Sequence, residues 1–217
     1  MRDDLLIQAK PSAKILVLPA ADLSRTDDST LVAALRAGDA RAPRVVWQRF
    51  AGMVYRILRR CLGQTGELED LVQEVFLHLF RRVPTLREPK ALPSFIISIT
   101  NLTARHELRR RWVRRWISLG DSRDASQDQR AAHPDPEARQ ALARFYGILN
   151  KLGSEDRMAF VLRFMEGMEL AEVARALDLS LASTKRRISH ARARIEHQVG
   201  QDPALAEYLL GECKELP

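Results

Sequence analysis

The sequence predicts an all-α protein built as two small helical domains joined by a flexible linker. Three observations carry that reading. Apolar residues recur three and four apart through one segment after another, the spacing that lines one face of a helix. The single β-branched run, Ile96–Thr100, is followed by residues that keep the helical period, and no partner strand is visible. Residues 119–137, LGDSRDASQDQRAAHPDPE, hold no periodic apolar set and are rich in Asp, Ser, Gln, Ala and Pro, the composition of a linker. A chain of 217 residues suits one sizeable domain or two small ones.

The elements follow in order. Residues 1–27 show no sustained period and read as an N-terminal extension. The first domain spans 28–118. It opens with DDSTLVAALRAGD, where Ser29 is the expected N-cap, Leu31, Val32 and Leu35 form a stripe, and Gly38 is a stop. In RVVWQRFAGMVYRILRRCLG, Val46, Phe50, Val54, Ile57, Leu58 and Cys61 share a face and Gly63 ends the helix. ELEDLVQEVFLHLFRRV turns Leu71, Val72, Val75, Phe76, Leu79 and Phe80 inward. ALPSFIISITNLTARHELRRRWVRRWISL starts at a proline and runs as one long helix, apolar first and basic later. After the linker, the second domain covers 138–198 and a tail covers 199–217. ARQALARFYGILNKLG and SEDRMAFVLRFMEG are its first two helices. Ser154 is expected to cap the latter, with Glu155 and Asp156 in its first turn, where the helix dipole favours acids.

The chain carries a net charge of +7 with a pI near 9.9, a balance that points to an anionic partner. Its two cysteines, Cys61 and Cys213, are far apart and lack companion ligands, which argues against a disulfide framework or structural zinc. The apolar run Ile15–Ala21 is too short to span a membrane and follows Asp3 and Asp4 rather than a basic flank. These features predict a soluble cytoplasmic protein with no membrane insertion. No catalytic site, metal site or cofactor site is expected. His106-Glu107 has no second His at metal spacing, no glycine-rich phosphate loop occurs, and no Ser/His/Asp set assembles.

MELAEVARALDLSLASTKRRISHARARI, residues 168–195, has the pattern of a helix-turn-helix. Leu170, Val173, Ala174 and Leu177 form the buried stripe of its first helix. Asp178 sits in the turn, where it tolerates a left-handed backbone, and Ser180 caps the second helix. At about 100° per residue, Leu181, Thr184, Ile188, Ala191 and Ile195 fall on the side facing the first helix. Arg186, Ser189 and His190 point away, with Lys185 on one flank and Arg187 and Arg194 on the other. Outward side chains of such a helix reach base edges in the major groove while flanking cations hold phosphates. A helix-turn-helix alone does not separate a repressor, an activator, a recombinase and a polymerase subunit.

Upstream, RHELRRRWVRRW adds Arg109, Arg110, Arg111, Arg114 and Arg115 as expected phosphate contacts. Trp112 and Trp116, one turn apart, are expected to close the core. Asp70, Gln73 and Glu74 form an acidic patch opposite the apolar stripe of their helix, a surface that nucleic acid would avoid.

The chain resembles bacterial RNA polymerase sigma factors of the extracytoplasmic-function type. DLVQEVFLHLFRRV is similar to the start of their region 2, and FIISITNLTARHELRRR to its promoter-melting part. LGSEDRMAFVLRFMEGMELAEVARALDLSLASTKRRISHARARI is similar to region 4. The resemblance implies a non-enzymatic specificity subunit that binds core polymerase and directs promoter recognition, DNA opening and initiation. It implies that Asp70, Gln73 and Glu74 dock on the clamp coiled coil of the largest polymerase subunit. It implies that Phe95, Asn101, Leu102 and Arg105 serve minus-ten melting, and that Lys185, Arg186, Ser189 and His190 read the minus-thirty-five element. Promoter DNA, duplex and melted, and an anti-sigma protein are the further partners it implies. The chain departs from the family pattern at Phe95-Ile96, where Trp-Leu is usual, and at Leu102, where the usual Asn aligns and Asn101 precedes it. It departs also at Gly153 in place of Pro and at Asp178 in place of Gly. The other reading is a free-standing helix-turn-helix regulator of duplex DNA, which would need neither the acidic docking helix nor the melting segment.

Overall fold

The computed structural model describes residues 27–63, 65–117 and 136–206, with the side chains of 115–117 excepted. The extension, the linker and most of the tail expected from the sequence lie outside these residues. Among the described residues the secondary structure is helical throughout: α1 (Asp28–Arg36), α2 (Ala42–Leu62), α3 (Leu68–Arg82), α4 (Leu92–Ile117), α5 (Pro136–Leu149), α6 (Ser154–Phe160), α7 (Leu170–Leu177) and α8 (Leu181–Gly200). Ile96–Thr100 is helical within α4, as its downstream period predicts.

The first helix boundary differs from expectation by two residues. Asp27, not Ser29, is the N-cap of α1, its carboxylate accepting from the Thr30 N–H at 3.1 Å. Two acids and a serine stand in series there, and the residue with extended backbone at the helix entry takes the role. Gly38 supplies the left-handed residue (φ 74°) after α1, and Gly63 (φ 78°) ends α2. α3 carries Glu69 and Asp70 in its first turn and Arg81 and Arg82 in its last, both matched to the helix dipole.

The predicted stripes of α2 and α3 are buried except for the half-buried Phe80, and they meet each other and α4 in a core that runs from Leu31 to Ala104. Trp47 stacks obliquely on Phe76 with centroids 4.6 Å apart. The second half has its own smaller cluster, with Ala141, Ile148, Leu149 and Leu152 packed on Ala191 and Ile195 of α8. Met158, Leu162, Val173 and Ala176 do not join that cluster; they are continuous with the core of α1–α4. α6, the π-helical turn Val161–Met165 and α7 therefore lie between the two halves.

Polar groups reinforce that junction. Arg157, 2% exposed, donates through Nη1 to the Cys61 carbonyl and to Asn150 Oδ1, both at 3.0 Å. Arg60 pairs with Glu166 at 2.7 Å and donates to the Met165 carbonyl. Arg105 of α4 pairs with Glu155 of α6 at 3.0 Å. Ser154, expected as the N-cap of α6, is instead its first helical residue; Gly153, extended at φ −60° and ψ 150°, occupies the cap position without a side chain to donate or accept.

Candidate nucleic-acid interface

α7 and α8 form the predicted helix-turn-helix. The Glu172 carboxylate accepts the Glu169 N–H at 2.8 Å at the start of α7. α7 ends at Asp178, which takes a left-handed backbone at φ 54° and ψ 48°. Leu179 N–H then closes on the Ala174 carbonyl at 2.9 Å. Ser180 caps α8, its Oγ accepting the Ser183 N–H at 3.1 Å.

On α8, Thr184, Ala191 and Ile195 are buried and Ile188 is half-buried, as the wheel requires. Leu181 is the exception: it lines a groove with Ala171, Ala174 and Arg175 of α7 yet remains 55% exposed. A wheel gives the side on which a residue lies, not how completely the facing helix covers it. Lys185, Arg186, Ser189 and Arg194 are exposed, so the outward face is open to solvent. His190 is exposed too, yet its Nδ1 lies 2.7 Å from Asp156 Oδ2 on α6. Arg187 turns the same way, pairing with Asp156 at 3.2 Å and with Glu155. Glu155 thereby bridges Arg187 of α8 and Arg105 of α4.

The residues expected to serve melting lie together along α4. Phe95, Asn101, Leu102 and Arg105 line one wall of a cavity of about 730 Å³, and Arg175, Ala176, Leu177, Asp178 and Leu179 line the other. Asn101 is buried with its Oδ1 lacking a hydrogen-bond partner among the described residues, whereas Leu102 is 49% exposed. The one-residue offset seen in the sequence thus places the amide inward and the leucine outward.

Farther along α4 the arginines gather on a single buried carboxylate. Glu107, 2% exposed, receives Arg110 at 2.9 Å, Arg111 at 2.7 Å and Arg114 at 3.1 Å. Arg111 also donates to the Leu62 carbonyl at 3.0 Å, while Arg110 and Arg114 reach Glu67. Arg109 is exposed and has no ion-pair partner among the described residues. Arg115 and Trp116 lie outside the described side chains. Trp112, expected in the core, is 54% exposed: Glu107, Arg111 and Arg114 turn toward the ends of α2 and α3, and Trp112 lies on a different side of α4. Asp70 and Gln73 are exposed on α3, and Glu74 lies beside His78 at 3.5 Å.

Sequence reasoning missed three organising groups. Glu107 was legible, since Arg110, Arg111 and Arg114 follow it by three, four and seven residues on one helical face. The sequence marks Asp156 only as a dipole partner in the first turn of its helix; nothing local says that α8 lies against it. Arg157 gave no signal at all, because a buried arginine is found only once the carbonyl it serves is known.

The geometry defines a helix-turn-helix protein with an exposed, basic outward face on α8 and a second basic helix. Residues 46–114 match the family model Sigma-70 region 2, and residues 142–195 match Sigma-70, region 4. The chain is 28% identical to the ECF RNA polymerase sigma factor BldN of Streptomyces coelicolor, over 73% of this chain, and spans 61% of the length of that relative. It is 26% identical to the ECF RNA polymerase sigma-E factor of Escherichia coli K12, over 79% of this chain and 94% of that one. Its fold matches the structure of CnrH in complex with the cytosolic domain of CnrY at a TM-score of 0.58, with 25% identity, covering 81% of this chain and 98% of that one. The chain belongs to the sigma-70 family, with regions 2 and 4 in order, and is an RNA polymerase sigma factor of the extracytoplasmic-function type.

Proposed function

We propose that this sigma factor is a dissociable, non-enzymatic, cytoplasmic subunit whose two halves divide the work of initiation. The α3 face of exposed Asp70 and Gln73 and half-buried Glu74 docks on the clamp coiled coil of core polymerase. Lys185, Arg186, Ser189 and His190 read the minus-thirty-five element, and Arg109 and Arg194 hold phosphates. Phe95, Asn101, Leu102 and Arg105 take the unpaired strand of the minus-ten element; the Asn101 amide oxygen is buried and unsatisfied, so it meets a base amino group only once the cavity between α4 and α7 opens. An anti-sigma protein is the expected regulator; the similar protein CnrH was solved with the cytosolic domain of CnrY, and the sigma factor RpoE of Bartonella quintana, similar in fold, with the anti-sigma factor NepR.

The observation that carries this reading is the outward face of α8. It is capped at Ser180, backed by Thr184, Ala191 and Ile195, and presents Lys185, Arg186 and Ser189 to solvent. The test is capture of core polymerase by the full chain, followed by run-off transcription from promoters selected out of a random library. Binding and templated start sites are expected; failure to bind core overturns the reading. Arg186→Ala should cost about 1–3 kcal/mol of promoter affinity and relax preference at one base pair. A uniform loss at every position would instead make Arg186 a phosphate contact.

A further inference from the structure

We infer that Asp156, which lies outside the helix-turn-helix on α6, is a positioning residue for base reading and fixes the hydrogen-bonding sense of His190. The inference rests on the assignment of His190 to the minus-thirty-five element. Asp156 uses its two oxygens separately: Oδ1 takes Arg187 at 3.2 Å and Oδ2 faces His190 Nδ1 at 2.7 Å. Its side chain is only 14% exposed, and Arg187, held on its other side by Glu155, keeps the carboxylate in place. His190 is 55% exposed, so the ring has an anchored acid on one side and solvent on the other.

A carboxylate can only accept, so the proton of the neutral ring sits on Nδ1. The far nitrogen, Nε2, is then an acceptor directed away from α6. The same carboxylate restrains rotation of the ring about its side-chain bonds, as outer partners of histidine do at metal sites. In the major groove an acceptor is complementary to the exocyclic amino groups, N6 of adenine or N4 of cytosine, and mismatched to the O6 and N7 acceptors of guanine. Asp156 thereby selects an amino-bearing base opposite His190 without touching DNA. Lys185 and Arg186, one turn back on α8, remain pure donors and suit guanine or phosphate, so the two kinds of contact read different bases.

The test uses the full chain assembled with core polymerase. Promoter fragments selected from a random library are varied to all four base pairs at each minus-thirty-five position, and affinity is measured for wild type, His190→Ala, Asp156→Asn, Asp156→Ala and the His190→Ala/Asp156→Ala pair. His190→Ala should flatten preference at one position, from about tenfold or more to within about twofold, the scale of a single base contact. Wild type should favour adenine or cytosine there on the contacted strand. Asp156→Asn, which keeps the shape but tolerates either tautomer, should flatten the same position and no other. Adding Asp156→Ala to His190→Ala should change nothing further at that position. A role for Asp156 in stability alone would lower affinity for all fragments equally and leave the ratios intact, and that outcome overturns the inference even if Asp156→Ala folds poorly. Guanine preferred at the His190-dependent position overturns it as well. If His190→Ala alters no position, the assignment of His190 falls; if His190→Ala flattens a position that both Asp156 variants preserve, only the inference about Asp156 falls.

Discussion

Cys61 shows what burial does to one side chain in this protein. Its thiol is 1% exposed, and burial pushes its pKa up from 9.0 to about 11, against the opposing pull of Arg157 and Arg111. Thiolate is the reactive form, so native Cys61 should resist iodoacetamide at neutral pH and react only on unfolding; peptide mapping by mass spectrometry reads this site separately from Cys213. Rapid native alkylation of Cys61 would contradict its burial. The pH dependence has a definite sign. The unfolded thiol loses its proton near 9 while the folded one holds it to about 11. The stability this group contributes is therefore full below about pH 9 and falls as pH rises toward about 11. The alkaline decline of the urea midpoint should be shallower in Cys61→Ala than in wild type. Cys61 was readable as a core residue from its place on the α2 stripe; that its carbonyl would be the acceptor for Arg157 was not, because the two are 96 residues apart.

At the scale of the element, the turn between α7 and α8 sets how the recognition helix is presented. Asp178 holds a left-handed backbone that costs most residues about 1–2 kcal/mol and Asp somewhat less. Asp178→Gly should therefore stabilise the fold by up to about 1 kcal/mol, after the extra freedom glycine gives the unfolded chain, and so raise the urea midpoint. A fall would show that the Asp178 side chain holds the turn by a contact of its own. Ser180→Ala removes the cap of α8 and should cost about 1 kcal/mol, with weaker promoter binding as the first turn frays. Both features were legible in DLS, since turn and cap chemistry are local. The misplaced caps of α1 and α6 were also local but depend on one residue's dihedrals, which hydrophobic period does not set. Leu181 and Trp112 depart from expectation for another reason: spacing along one helix does not say how much of each side its neighbours cover.

The whole molecule holds the largest difference between pattern and structure. Periodicity marked Val173 as buried without saying against what, and a change of composition at 119–137 suggested two separate bodies. In the structure Met158, Leu162, Val173 and Ala176 are buried in the core of the first half, and Arg157 serves a carbonyl of α2. Parting the halves would expose those side chains and leave the Cys61 carbonyl without its partner, each at a cost of the order of 1–3 kcal/mol. The cavity between Phe95–Arg105 and Arg175–Leu179 would open in the same step. Any state that delivers the proposed melting face and the proposed recognition helix to separate promoter elements must hand this surface to a partner or to water. Coupling of this size predicts one cooperative unfolding transition. All three tryptophans, Trp47, Trp112 and Trp116, belong to the first half, so tryptophan fluorescence reports that half alone. Leu149 is fully buried in the far cluster of the second half. Leu149→Ala should cost about 2–5 kcal/mol and lower the tryptophan-reported urea midpoint along with the circular dichroism midpoint. Leu162→Ala, at the junction itself, should separate the two signals instead, because it weakens the contact that couples them. A tryptophan midpoint unmoved by Leu149→Ala would mean that the halves unfold independently despite their shared core.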